Sequence, residues 1–206
     1  MKQYRLHNLL YAAVVLASVP SIRLIQQTFS AHDKSVVVWN ISEYIAEIAD
    51  SINVEVASTY VRKYGKTAIE EQQLFGVPAS IKIAQGMLES NYGRCTAATK
   101  YNCHFNIKAV KGTPYSSGTF LQADENKFAR FHAYQSSWWS FRHHSKFVTS
   151  GKYKYISGDY KKWAKGLKRA GYATDKDYAN KLIKIIEQYQ LYKLDKIAEM
   201  VVAKEV

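Results

Sequence analysis

Apolar residues recur about every three to four positions through most of this chain, which is the spacing of a helix buried on one side. The clearest case is residues 77–93, where Pro78 suits a first helical turn and Gly93 can take the left-handed conformation that ends a helix. The same spacing predicts a helix over residues 58–75, and a loop is expected over residues 94–106. These segments predict a mainly helical fold.

The pattern changes between residues 107 and 134. Glycine, proline and serine residues cluster there, and residues 128–134 then alternate between apolar and polar side chains, which is typical of a strand. We expect a small β-hairpin or three-stranded lobe in this stretch. Three helices are predicted to close the chain, with Asp159 capping the second and Thr174 capping the third.

The first residues have the pattern of an export signal, because Lys2 and Arg5 precede a short apolar run over residues 9–19. The run is shorter than the ~20 residues that a spanning helix needs, but Pro20 disfavours cleavage directly after it. Residues 1–22 are therefore predicted to be either a cleaved signal peptide or a retained membrane anchor. In both cases the rest of the chain is exported, to the periplasm, the cell envelope or the medium.

The formal net charge of +12 raises the question of an anionic partner. Nucleic acid is the usual first candidate, but the basic residues are spread over the C-terminal helices and no nucleic-acid recognition motif is visible. They are interleaved with apolar residues at helical spacing, which favours solvated helix faces. A cell-wall polymer or a membrane surface is a better match to this pattern, and we expect no nucleic acid.

Glu89 is the first candidate for chemistry, because the nearly all-apolar segment 77–93 places its carboxyl group in the last helical turn. A carboxyl group among apolar neighbours has a raised pKa, since the charged form loses hydration. That property suits a general acid for glycoside cleavage. A capping or salt-bridging glutamate would fit this segment equally well.

Longer motifs decide between these interpretations. The string GVPASIKIAQGMLESNYG at 76–93, followed by NCHFNIK at 102–108, resembles the glucosaminidase family of peptidoglycan hydrolases, of the flagellar-muramidase and autolysin type. Asn106 stands where the family has glycine, and asparagine is the next-best residue for a left-handed turn. The resemblance covers about residues 58–195 and continues in the motifs F-x-x-Y at 131–134, H-S-x-F at 144–147, W-A-K-G-L at 163–167, A-G-Y-A-T-D at 170–175 and Y-A-x-K-L-I at 178–183.

The resemblance implies a mainly α, lysozyme-like helical domain with a small β-hairpin lobe beside an active-site groove. It also implies an endo-β-N-acetylglucosaminidase that cuts the β-1,4 bond after N-acetylglucosamine in peptidoglycan. We expect a monomer without a cofactor. The predicted organisation is a signal or anchor over 1–22, an N-terminal helical extension over 23–57, a catalytic domain over 58–195 and a C-terminal tail over 196–206.

Glycoside cleavage needs a second group besides the acid Glu89. The resemblance places it in the β-lobe, where Asp124 and Glu125 are the candidates, although Asp-Glu-Asn is also an ordinary hairpin turn. The acetamido group of the substrate is the alternative. Tyr172 is expected to position the substrate, or else to pack at a helix end. Two further residues lie in the motif beside the groove: Asn102 as a sugar hydrogen-bonder, and Phe105 as a groove or core residue.

Cys95 and Cys103 flank the loop after Glu89. Export permits a disulfide between them, and two free thiols are the alternative. The histidines show no metal-ligand spacing, and the adjacent His143 and His144 would point about 100° apart on a helix, so we expect no metal site.

Two other functions remain open at this stage. A muramidase or lytic transglycosylase would cut the same polymer, and a transglycosylase can work with a single glutamate. A non-catalytic wall-binding or assembly module would keep the groove without turnover.

Overall fold

The computed structural model describes residues 34–124 and 127–202. The predicted signal or anchor over 1–22 and the candidate residue Glu125 lie outside these ranges. The described elements, in chain order, are α1 (Lys34–Asp50), α2 (Glu55–Phe75), α3 (Ala79–Ser90), α4 (Thr96–Tyr101), β1 (Gly118–Asp124), β2 (Lys127–Ala133), α5 (Ser137–Val148), a short 3-10 helix (Gly151–Tyr153), α6 (Tyr160–Arg169), α7 (Tyr178–Gln188) and α8 (Tyr192–Val202).

Helix α3 is the centre of the fold, and every residue from Ala79 to Met87 is buried. It packs against α2, α6, α7 and α8, which explains why its sequence is apolar on more than one face. The helix ends at Ser90, earlier than the predicted end at Gly93. The reason is that Asn91 already takes the left-handed conformation, with φ of 50°, and donates its backbone N–H to the carbonyl of Met87.

The close packing of α2 on α3 depends on Gly86. A Cβ atom at this position would lie 2.2 Å from the hydroxyl oxygen of Tyr60, which is far inside contact distance. Tyr60 is buried and its hydroxyl group is hydrogen-bonded to Nδ1 of His104 at 3.0 Å. Glycine therefore allows a buried polar contact to form directly against the face of a helix.

The N-terminus of α3 is capped from a distant part of the chain. The Asp195 carboxyl group accepts the backbone N–H of Ser80 at 2.7 Å and the Ser80 hydroxyl at 2.6 Å. The side-chain oxygen of Gln72 accepts the N–H of Ala79 at 2.7 Å. These contacts satisfy two N–H groups that a helix start leaves without intrahelical partners.

Asp195 belongs to α8, a helix beyond the three that the sequence predicts. This helix runs across the expected boundary at residue 195, and Ile197 and Ala198 are buried in the main core. The core contacts of α8 therefore extend beyond the predicted end of the domain.

Strands β1 and β2 form an antiparallel hairpin, in register from Gly118 opposite Ala133 to Asp124 opposite Lys127. Within the described residues, a third segment pairs with the hairpin only through an isolated bridge between Lys108 and Phe131. The predicted loop over 94–106 is wrong in part, because α4 forms inside it. The hairpin packs on α4 through a small aromatic cluster in which the rings of Tyr101 and Phe120 stack at 4.1 Å.

Helix α1 is the described part of the predicted N-terminal extension. It packs against α2 and α8, and its Ile45, Ile48 and Ala49 side chains are buried in the main core. Within the described ranges, no helix combines the length and the apolar character that crossing a membrane requires.

The two predicted helix caps have different outcomes in the structure. Asp159 caps α6 as predicted, since its carboxylate accepts the N–H of Lys162 at 2.9 Å. The predicted cap at Thr174 is wrong, because α7 begins only at Tyr178.

Cys95 and Cys103 are free thiols in this structure, and burial raises the pKa of Cys103 to about 11.

Candidate active site

Glu89 lies in the last turn of α3, where this helix meets the start of α7 and the loop after α4. The hydroxyl group of Tyr178 donates to Oε1 of Glu89 at 2.9 Å, and the side-chain amide of Asn106 donates to Oε2 at 3.3 Å. Burial raises the pKa of Glu89, and these two hydrogen bonds lower it by less. The carboxyl group therefore keeps its proton to a higher pH than an ordinary glutamate, as a general acid requires.

Asn106 contributes to this site through both its backbone conformation and its side-chain amide. Its φ of 47° confirms the predicted left-handed turn at this position. The side-chain amide also donates to the backbone carbonyl of Glu89 at 3.0 Å, so it holds both the end of the helix and the carboxyl group. Oδ1 of Asn106 is buried without a hydrogen-bond partner among the described residues.

Tyr178 is the residue of this site that the sequence did not single out. It starts α7, is only 2% exposed, and accepts a hydrogen bond on its hydroxyl group from the side-chain amide of Gln85 at 2.9 Å. Gln85 precedes Glu89 by four residues and so lies on the same face of α3. Tyr178 is the first residue of the Y-A-x-K-L-I motif, and this motif is the sequence feature from which its place in the site could have been predicted.

This arrangement lies inside a recognisable stretch of sequence. Residues 65–191 match the glucosaminidase family, whose description is mannosyl-glycoprotein endo-beta-N-acetylglucosaminidase. The chain belongs to this family.

Individual glucosaminidase-like proteins support the assignment. The chain is 34% identical over 138 residues to the exo-glucosaminidase LytG of Bacillus subtilis, covering 60% of this chain and 48% of that protein. It is 30% identical over 165 residues to the peptidoglycan hydrolase FlgJ of Vibrio cholerae, covering 71% of this chain and 49% of that protein. The chain thus spans about half the length of these curated relatives.

A solved structure supports the fold. The catalytic domain of the autolysin Auto from Listeria monocytogenes superposes with a TM-score of 0.58 at 25% identity, covering 70% of this chain and 90% of that domain. The predicted membership of a family of glycoside hydrolases and the lysozyme-like, mainly helical fold with a small hairpin are therefore confirmed.

The structure brings Tyr172, the predicted groove residue, next to Glu89 but behind Tyr178. The rings of Tyr172 and Tyr178 stack at 5.7 Å, and the Tyr172 hydroxyl donates to the carbonyl of Phe105 at 3.1 Å. Burial, then the neighbouring Tyr178 and Glu89, raise the pKa of Tyr172. Its partly buried ring supports Tyr178 from behind, and a contact with substrate stays a prediction.

The two predicted residues beside the groove have structural contacts. The Asn102 amide donates to the backbone carbonyl of Tyr134 at 3.0 Å and so ties α4 to the end of the hairpin. Phe105 is only 2% exposed and stacks on the ring of His144 at 4.0 Å. Its ring is therefore part of the core, where a sugar does not reach it.

The second catalytic group is not placed by the described residues. Asp124 is the last residue of β1, opposite Lys127 at the tip of the hairpin, and only its backbone is described. Glu125 follows it outside the described ranges. Asp124 and Glu125 therefore stay candidates from the sequence alone.

Proposed function

We propose that this glucosaminidase is an endo-β-N-acetylglucosaminidase of peptidoglycan, which cuts the β-1,4 bond after N-acetylglucosamine with Glu89 as its general acid. The observation that carries the proposal is the Glu89 carboxyl group itself. It stands at the end of a buried helix, its pKa is raised by burial, and two side chains from other segments orient it. The names of the relatives, a glucosaminidase and a peptidoglycan hydrolase, agree with this substrate.

In the first step, protonated Glu89 donates its proton to the oxygen of the leaving sugar while the glycosidic bond breaks. The positive charge that develops on the remaining sugar ring needs a partner on the other side. In a substrate-assisted reaction this partner is the acetamido group of N-acetylglucosamine, and Glu89 then takes a proton from the incoming water. In an inverting reaction, Asp124 or Glu125 would activate the water instead.

We assign the activity to the space outside the cytoplasm, because peptidoglycan lies beyond the membrane. The export pattern of residues 1–22 and the names of the cell-wall hydrolase relatives support this assignment. The net charge of +12 suits work on an anionic wall.

Digestion of purified peptidoglycan tests the proposal, with the reducing-end sugars of the products identified by mass spectrometry. Reducing N-acetylglucosamine is the expected result. Reducing N-acetylmuramic acid would identify a muramidase, anhydro ends a transglycosylase, and the absence of products a binding module; each of these three results overturns the proposal. The Glu89→Gln variant is the control for contaminating activity.

The same digest separates endo from exo cleavage, a distinction that the name of the Bacillus relative makes relevant. An endo-acting enzyme releases long glycan fragments early in the time course. Early release of disaccharides alone would instead assign exo action to this chain.

A further inference from the structure

A continuous series of hydrogen bonds runs through the interior of the domain from Lys82 to Glu89. Lys82, on α3, is fully buried, and its ammonium group reaches Nδ1 of His144 at 3.1 Å. Nε2 of His144 lies 3.1 Å from the side-chain oxygen of Gln85. The Gln85 amide donates to the Tyr178 hydroxyl, which donates to Oε1 of Glu89.

When Lys82 is charged, it determines the direction of every bond in this series. An ammonium group has three hydrogens and no lone pair, and Lys82 has three partners: the carbonyl of Phe141 at 2.9 Å, Oγ of Ser145 at 2.7 Å and Nδ1 of His144. Nδ1 of His144 must therefore accept, so the ring hydrogen of the neutral imidazole is on Nε2 and points to Gln85.

The remaining bonds follow from this tautomer. With its oxygen accepting from His144, Gln85 must present its NH2 group to the Tyr178 hydroxyl oxygen. Since that oxygen accepts from Gln85, the hydroxyl hydrogen is turned to Oε1 of Glu89. All the bonds of the series thus point from the lysine to the carboxyl group.

We propose that Lys82 is a positioning residue for catalysis: through His144, Gln85 and Tyr178 it keeps a donor on Oε1 of Glu89 and so assigns the acid proton to Oε2. This inference rests on the proposed function, in which Glu89 is the acid. An oxygen that already accepts a short hydrogen bond is the less favourable place for the proton, so Oε2, with its longer contact to Asn106, carries it.

The surroundings of Lys82 determine the pH below which its amino group is charged. Burial lowers the pKa of Lys82 to about 7, the Glu71 carboxylate opposes this shift, and Arg142 reinforces it. Burial and the charge of Lys82 lower the pKa of His144, which keeps the imidazole neutral beside the ammonium group. Placing a lysine here is unfavourable for packing alone, since an apolar side chain of similar size would need no hydrogen-bond partners.

The direct test is the tautomer of His144, read by nitrogen-15 NMR of the free protein at a pH below the pKa of Lys82. We expect the Nε2–H form in the unchanged protein, and a detectable Nδ1–H population in Lys82→Met. An Nδ1–H ring or a cationic ring in the unchanged protein overturns the proposal, as does a tautomer that does not respond to Lys82→Met. The spectrum of the unchanged protein decides the first point even if the variant does not fold.

Kinetics provide a second readout that a purely structural role would not produce. Lys82→Met is expected to lower kcat about tenfold, a part of the ~10²–10⁴-fold that general acid catalysis contributes, with KM nearly unchanged. In a Tyr178→Phe background, Lys82→Met should have no further effect on kcat, because the path to Glu89 is already interrupted. An equal loss in both backgrounds overturns the proposal.

Ser145→Ala is the matched control, because it removes another partner of Lys82 but leaves the series to Glu89 intact. Its kcat should stay within about twofold of the unchanged protein, whatever its stability; a tenfold loss would contradict the proposal. The tautomer of His144 is measured without substrate, so the NMR result does not depend on whether the proposed function is correct. Near-normal turnover of Glu89→Gln would remove the function and leave the NMR result as it is.

Discussion

Two side chains donate hydrogen bonds to the Glu89 carboxyl group, and both come from segments far from Glu89 in the sequence. Tyr178 binds one oxygen and Asn106 the other, so each oxygen has a separate environment. Burial removes water from the group, and the two donors limit how far its pKa rises. The acid strength of Glu89 is therefore a balance between these opposing effects.

Replacing Glu89 by glutamine should abolish cleavage without unfolding the domain. The amide has the size of the carboxyl group but no proton to donate, so turnover of peptidoglycan should fall by at least the ~10²–10⁴-fold typical of general acid catalysis. Turnover is measured by release of reducing ends, and circular dichroism checks the fold. A folded glutamine variant with near-normal turnover would exclude Glu89 as the acid.

The two donors to Glu89 should each shift the pH dependence of the reaction. In the proposed mechanism the active form of Glu89 is protonated, so kcat/KM is expected to fall as the pH rises through the pKa of Glu89. Tyr178→Phe and Asn106→Gly each remove a bond that lowers this pKa. Both variants should therefore move the alkaline limb to higher pH, and Tyr178→Phe should move it further.

The pH profile of kcat/KM over the neutral range measures this shift, with Tyr155→Phe, an exposed tyrosine, as the control. A shift to lower pH in either variant would contradict the assignment of the donors.

Some residues of the site follow from the local sequence, and others do not. Glu89 and the left-handed turn at Asn106 follow from local features, namely an apolar helix and a residue type that tolerates positive φ. Lys82 and Tyr178 could not be found in this way, because their roles depend on the contact of α3 with α5 and α7. A periodic pattern indicates which face of a helix is buried, but not which distant polar group it meets.

At the scale of elements, the position of Glu89 depends on how both ends of α3 are held. Asn106 binds the carbonyl of Glu89 at one end, and Asp195 of α8 caps the other. Helix α4 was missed because its sequence has no apolar periodicity; the buried Ala97 and Ala98 are the residues through which it packs. Helix α8 was missed because the predicted boundary at residue 195 falls inside it. Its first residues were assigned to the end of the domain and its last residues to the C-terminal tail.

Asp195→Ala should destabilise the domain more than Asp159→Ala. Both remove a helix cap, which costs about 0.5–2 kcal/mol. Asp159 is an exposed local cap of α6, whereas Asp195 is partly buried and joins α8 to α3 by two bonds. We therefore expect about 1 kcal/mol for Asp159→Ala and about 2 kcal/mol or more for Asp195→Ala.

Urea unfolding measures both values. Asp195→Asn, which keeps an acceptor for the Ser80 N–H, should lose less stability than Asp195→Ala. Equal losses for the Asp159→Ala and Asp195→Ala variants would show that the connection between α8 and α3 does not contribute to the free energy of unfolding.

Across the whole protein, the main core consists of side chains from α1, α2, α5, α6, α7 and α8 packed around α3, while the hairpin and α4 share a separate small cluster. The family resemblance indicated this division into a helical body and a lobe. The contribution of α1 was open, since residues 23–57 lie outside the motifs. The buried face of α1 shows that the described part of the extension packs on the domain and contributes to its core.

Two truncations should therefore behave differently. Deleting residues 1–22 should leave the free energy of unfolding and the activity on peptidoglycan unchanged, because the described core begins with α1. Deleting residues 1–53 also removes the buried Ile45, Ile48, Ala49 and Ile52. A fully buried aliphatic side chain contributes about 1.5–3 kcal/mol, so this second loss should be at least about 3 kcal/mol.

Urea unfolding of the two purified truncations is the measurement, and cell fractionation of the full and shortened chains is its cellular counterpart. The full chain should be found outside the cytoplasm and the chain without residues 1–22 inside it. Loss of folding on deletion of residues 1–22 would mean that this segment belongs to the core. Full-length protein in the cytoplasmic fraction would contradict both export and the peptidoglycan substrate, because that polymer lies beyond the membrane.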